Sequence, residues 1–341
     1  MTARRAAGYL AILVVSLAAP WLAPAYQTQL AFLWVMIVFA LTWDVLGGQM
    51  GYNSFGNVVF FGVGMYACAV VQRDLFYDIA EYQSAAGSVE GALSPLQYVT
   101  GLGLGMVAAV VVSVVVAVVL GAAILGLRGH YFAICTLGLA IAAGEIASGV
   151  DYLGAGSGMV TPIFPDALGD RALFYYYLFF VLGVATFLVL RWAYGTRFGL
   201  AANAIRDDED KAEAMGLHTT RYKIVAWCTA AVFLSLAGAG VGNLIGFIDP
   251  RDVAFAGATY GVWMVLMAIL GGKGTMWGPV IGAVVFHLTQ ELFWTYLLGW
   301  QRVALGLLIV LIVVFFPQGI MGFVRERWPA RFGATVDERS A

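Results

Sequence analysis

The sequence predicts an all-α fold, a polytopic membrane helix bundle of about ten transmembrane spans. Hydrophobic residues make up 62% of the 341 residues and charged residues 11%, well below the roughly 25% charge of a soluble domain. Ten apolar runs are spaced along the chain, most of them near the about 20 residues that a helix needs to cross hydrocarbon. Glycine is abundant at 42 residues, as suits helices that meet through small side chains because lipid gives no advantage to burying leucine. Ten spans consume about 200 residues and leave no room for a separate soluble catalytic domain. The whole chain, 1–341, therefore reads as a single transmembrane domain.

The spans are expected near 8–24, 29–46, 56–71, 97–126, 131–149, 172–191, 224–246, 257–271, 278–295 and 301–316. The first follows Arg4 and Arg5 as a signal peptide would, but Pro20, Trp21 and Pro24 fit a span that ends at a membrane interface. An even number of spans puts both termini on one side. Of the 18 Lys and Arg residues, only Arg73, Arg171, Arg251 and Arg302 then fall opposite the termini. The positive-inside rule makes the terminal side cytoplasmic, with a short cytoplasmic tail at 317–341. The net charge of −2 is less informative than this distribution. On the outer side, loops 72–95, 151–171 and 249–252 are either solvated connectors or a seat for an extracytoplasmic protein.

Two glycine-rich turns interrupt the apolar pattern: LGGQMGYNSFGN at 46–57 and LGGKGTMWGPVIG at 270–282. Irregular backbone at membrane depth survives only where protein or a wet cavity covers it. These turns are either pathway elements or tight interfacial loops, and Gln49, Tyr52, Asn53 and Asn57 are the polar candidates for a pathway. Asp44, Glu145, His287 and Glu291 are ionisable residues in or near spans, where charge is costly and faces a bundle interior. Glu145 stands mid-span and is a further pathway candidate, expected to face inward. His287 and Glu291 are four apart on one helix face and could satisfy each other.

The longest polar interruption is 192–223. Six basic residues (with Arg191 counted) and five acids concentrate there, a two-signed surface suited to docking a soluble partner. Within it 206–215 reads as one short helix, with Asp207, Asp208, Glu209 and Asp210 at the positive end of its dipole. Gly216 stands where a left-handed C-cap wants glycine. Ala212, Ala214 and Met215 form a small apolar side. The segment reads either as a docking helix or as a solvated helical loop. Catalytic and cofactor signals are missing. GGKGT at 271–275 fails the phosphate-loop pattern, because Gly274 follows Lys273. His130, His218 and His287 are too scattered for an evident metal site, and Cys68, Cys135 and Cys228 lack metal or redox spacing. Energy from ATP, if used, must arrive through a partner.

The stretches GGQMGYNSFGNVVFFGVGMYA, LRGHYFAICTLGLAIAAGEI, LGAGSGM, AIRDDEDKAEAMGLHTTRYK, LGGKGTMWGPVIGA and FFPQGIMG run nearly end to end. With them the chain resembles the LivM-type permease subunits of branched-chain amino acid ABC importers. The resemblance implies a non-catalytic inner-membrane subunit, without cofactor or nucleic acid. It implies pairing with a second homologous permease, two cytoplasmic ATPase subunits and an extracytoplasmic substrate-binding protein. The AIRDDEDKAEAMG segment looks like the loop that docks on the ATPase, which assigns coupling to Arg206, Asp207, Asp208, Glu209, Glu213, Ala214 and Gly216. Departures from the usual pattern at 49–57 and at GAGSG bear on the substrate. Branched-chain or other hydrophobic amino acids are the leading expectation, with urea, amides and small organic acids as alternatives. An ATP-independent secondary transporter or channel is the competing class; it predicts paired intramembrane charges and no docking helix.

Overall fold

A computed structural model describes residues 3–76, 93–296 and 319–327, and positions 300, 303, 306, 307 and 310. In chain order the helices are α1 (Ala3–Leu22), α2 (Gln27–Gly47), α3 (Val58–Phe76), α4 (Pro95–Ile124), α5 (Gly129–Gly149) and α6 (Arg171–Tyr194). There follow α7 (Arg197–Asp207), α8 (Glu209–Ala214), α9 (Thr219–Ile245), α10 (Val262–Gly271), α11 (Gly278–Tyr296) and α12 (Gly319–Arg327). Among the described residues seven helical stretches are long and apolar enough to span a membrane, and Gly8–Leu22 is a shorter apolar helix. Gly278–Tyr296 coincides with the ninth expected span but falls outside the seven, its apolar run diluted by His287, Gln290 and Glu291. The tenth expected span, 301–316, lies outside the described residues apart from four positions, as do 77–92 of the first outer loop and 328–341 of the tail.

α2 is apolar on every side, and a helix of that kind belongs at a centre; every residue from Val35 to Gly47 is buried. α3 and α9 pack beside it at a backbone-to-backbone crossing. A Cβ added at Gly64 would lie 2.3 Å from the Ser235 carbonyl oxygen, and one at Gly238 would lie 2.0 Å from that of Phe61. Only glycine permits this approach, the small-residue packing that lipid-embedded helices favour. α4 buries a single narrow stripe, Gly101, Gly105, Ala109, Ser113, Ala117 and Gly121, at a spacing of four, against this pair. Its opposite face, with Leu104, Val107, Val111 and Val115, is exposed. α5 likewise exposes Tyr131, Ile134, Ile141 and Ile146.

One pair of polar side chains between α3 and α9 is satisfied inside the bundle, where unpaired polar groups are costly. Gln72 donates to Asn243 Oδ1 at 2.9 Å, and Asn243 in turn donates to the Ala239 carbonyl at 2.9 Å. The connections that follow α5 and α9 are tied by a two-residue antiparallel ribbon, Met159–Val160 against Phe247–Ile248. Between this ribbon and α10 the chain forms two π-helical turns, Pro250–Ala254 and Gly257–Gly261. The first is seated on Gly62 of α3, where a Cβ would collide with Phe255 at 2.5 Å.

Candidate coupling site

α7 is amphipathic: Gly199, Ala201, Ala202 and Ile205 are buried while Arg197 and Arg206 are exposed. The single helix expected over 206–215 is two helices. Asp208 adopts extended backbone (φ −165°, ψ 104°), ends α7, and caps α8 by accepting a hydrogen bond from the Lys211 amide at 3.1 Å. Aspartate competes with the helix for its own backbone donors, which is why it terminates one helix and starts the next. Glu209 and Asp210 then occupy the first turn of α8. Gly216 has φ +87°, the left-handed conformation its position predicts. Ala212 is buried, whereas Ala214 is exposed and Met215 is 85% exposed, so the small apolar side is divided between seat and solvent.

The seat is built around Glu209. Lys223, at the start of α9 and 1% exposed, places its Nζ 2.7 Å from Glu209 Oε1, 2.7 Å from the Leu125 carbonyl and 3.1 Å from the Tyr52 hydroxyl. Tyr52 donates its own proton to Glu209 Oε2, and Thr219 donates to Glu209 Oε1 at 3.0 Å. Thr219 also lies 2.6 Å from Glu213 Oε1. Arg128, from the turn before α5, covers the cluster, with its Nε 3.5 Å from Glu209 and a guanidinium nitrogen 3.7 Å from Glu213, and bonds Asp210 as well. Burial opposes the Glu209 carboxylate, but the hydrogen bonds from Lys223 and Tyr52 outweigh it and hold its pKa below the ordinary glutamate value. Burial and the adjacent carboxylate push the Tyr52 phenol upward, so it remains a proton donor. The three protons of Lys223 and both oxygens of Glu209 thus have partners, the condition under which a buried ion pair is tolerated.

Arg206 forms an ion pair with its neighbour Asp207 at 3.0 Å and lies beside Gly51 and Gly274. Asp208, Glu209 and Glu213 face the seat or cap it, whereas Asp207 and Ala214 face solvent. The pathway candidates are not gathered around a common space. Gln49 donates to Asp44 Oδ2 at 3.2 Å, and Asp44 also accepts from the Gly274 amide at 2.7 Å, which joins the two glycine-rich turns. Tyr52 belongs to the α8 seat, Asn57 accepts from the Trp227 indole at 2.9 Å, and Asn53 is exposed. Glu145 does not face the interior of this bundle. Its side chain is 57% exposed and pairs with Arg251 at 2.7 Å, because the outer turn after α9 brings a guanidinium to the last turn of α5. His287 does not pair with Glu291 either; its Nε2 lies 2.9 Å from the Gln29 carbonyl, since its face of α11 packs on α2.

The residues that sequence reasoning missed are Lys223, Arg128 and Thr219. Lys223 was counted only toward the cytoplasmic charge; a lysine at the head of a long apolar run was the available signal that it was buried. No group of three or more His, Cys, Asp or Glu residues that could hold a metal occurs among the described residues.

A helical bundle with seven long apolar helices among the described residues belongs to the class of polytopic membrane proteins. The chain belongs to the family of permease components of branched-chain amino acid transport systems, whose pattern matches residues 27–315. It is 26% identical to the high-affinity branched-chain amino acid transport system permease protein LivM of Salmonella typhimurium, over 92% of this chain and 79% of that protein. To LivM of Escherichia coli K12 it is 24% identical, over 97% of this chain and 78% of that one. A shorter similarity, 28% over 37% of this chain and 40% of the relative, joins it to LivH of Escherichia coli K12. No solved structure matches. Membership makes the chain a multi-pass permease component rather than an enzyme.

Proposed function

We propose that this permease moves branched-chain or other hydrophobic amino acids inward, and that α8 with its flanks is where cytoplasmic ATPases engage it. The carrying observation is the construction of α8. One face is fixed through Glu209 to Lys223, Tyr52 and Thr219, while Ala214 and Met215 are exposed to a partner. A solvated loop has no need of a buried ion pair; a surface that receives force does. The LivM and LivH relatives support a second permease as partner, and the broad apolar faces of α4 and α5 are available for it. In this reading both termini and the segment 192–223 are cytoplasmic, and an extracytoplasmic binding protein delivers the solute to the side of the ribbon. The test is uptake into proteoliposomes holding the permease pair and ATPases, with binding protein outside. ATP-dependent accumulation of leucine, isoleucine or valine is expected. Uptake that proceeds without ATPases, or only of urea, amides or organic acids, overturns the mechanism or the substrate respectively.

A further inference from the structure

A cleft opens on the flank of the bundle between α1, α2 and α6. Its volume is about 370 Å³, and its walls are Ile12 and Leu13 of α1, Trp34 of α2, and Phe180, Val184 and Leu188 of α6. α1 is pinned at both ends of this cleft and stands away from α6 between them. At one end Trp21 donates to the Tyr177 hydroxyl at 2.8 Å and Tyr176 donates to the Ser16 carbonyl at 2.5 Å. At the other end Tyr9 stacks on Trp277 at 5.6 Å, and Arg191 donates to the Tyr9 hydroxyl at 2.7 Å.

The dimensions restrict what can occupy it. Phe180 and Arg191 are eleven residues apart on one helix, about 16 Å at 1.5 Å per residue, or one leaflet of a hydrocarbon core about 30 Å thick. Spread over that length, the volume gives a cross-section of about 23 Å². A helix about 10 Å wide needs about 80 Å² and is too broad, whereas an extended acyl chain enters. Arg191, at the mouth on the α7–α8 side, is in no ion pair among the described residues. A guanidinium at a membrane interface matches phosphate oxygens in geometry and charge.

We propose that the cleft binds one anionic phospholipid, with an acyl chain against Trp34 and Val184 and its phosphate on the Arg191 guanidinium. The site is independent of which solute the permease carries. It is tested on the full chain in mild detergent, relipidated with equal amounts of phosphatidylglycerol and phosphatidylcholine of the same chain length, with retained lipids counted by native mass spectrometry. Wild type is expected to retain one phosphatidylglycerol at least about fivefold over phosphatidylcholine. R191Q should abolish the preference, and Val184→Trp should lower retention of both lipids. Leu13→Phe, on the opposite wall, serves in place of Val184→Trp if that variant does not elute as a folded species. Absence of a preference in wild type, a preference that persists in R191Q, or retention unaffected by filling the cleft each overturns the proposal.

Discussion

Glu209 and Lys223 have side chains 11% and 2% exposed, and such a pair is stable only while complete. Removing one partner leaves the other charge buried and uncompensated, a loss of about 3 kcal/mol or more. Lys223→Met should therefore free α8 from the bundle and speed amide exchange across 209–216, while α2 and α9 keep their protection. Tyr52→Phe deletes two hydrogen bonds, the one donated to Glu209 and the one accepted from Lys223, and should cost about 2 kcal/mol, a smaller effect in the same assay. The pH dependence has a definite sign. Because the Glu209 pKa is depressed in the folded chain, its contribution is present above the ordinary glutamate pKa of about 4.3 and fades as pH falls through the lower folded value. Protection across 209–216, relative to the intrinsic exchange rate at each pH, should be steady from neutral pH down to about 5 and fall below about 4, and Glu209→Gln should lack that fall. Glu145 and Arg251 offer a contrast. Their pair is more than half exposed on each side, and exposed pairs contribute about 0–1 kcal/mol. Glu145→Gln should leave thermal stability and transport nearly unchanged; a large loss of transport with stability intact would assign the charge itself a role.

At the scale of elements, α8 depends on how the chain leaves it. Gly216 adopts φ +87° with nothing near its missing side chain, so a substitution there tests backbone conformation alone. Gly216→Val should cost about 1–2 kcal/mol and abolish stimulation of ATP hydrolysis by liganded binding protein, with insertion in the membrane preserved. Gly216→Asn, which tolerates the left-handed region, should retain most of it; equal activity in both variants would remove the exit turn from the mechanism. The sequence revealed this turn because glycine at the end of an acidic helix has one strong reading. It also revealed the long apolar helices, since crossing hydrocarbon sets a length that composition alone satisfies. It did not reveal the division of 206–215 at Asp208, where capping and helix continuation compete over a single residue. Nor could it show the seat of α8, since Tyr52, Leu125 and Lys223 are separated from one another by 73 residues or more and meet only through the packing of α2, α4 and α9. The Glu145 partner was hidden for the same reason: Arg251 lies 106 residues away.

For the whole molecule the open quantity is orientation. Fourteen of the eighteen basic residues lie on the terminal side in the expected ten-span arrangement, so that side should be cytoplasmic. In a background lacking Cys68, Cys135 and Cys228, Thr220→Cys and Ser157→Cys report the two faces, both positions being exposed. An impermeant thiol reagent applied outside intact cells should label the cysteine at 157 and spare the one at 220; the reverse pattern inverts the molecule.

The anchorage of α8 has a mechanical corollary. Its contacts reach the turn between α4 and α5 through Arg128, the α2–α3 connection through Tyr52, and the first turns of α9 through Thr219 and Lys223. A body bonded to three separate stretches of chain resists pivoting against its support. In the proposed coupling role a push delivered to α8 would be shared among three distant stretches of chain, and small displacements would reach the bundle as movement of a block rather than the bending of one helix. Stiffness of that kind makes a six-residue helix a handle instead of a hinge.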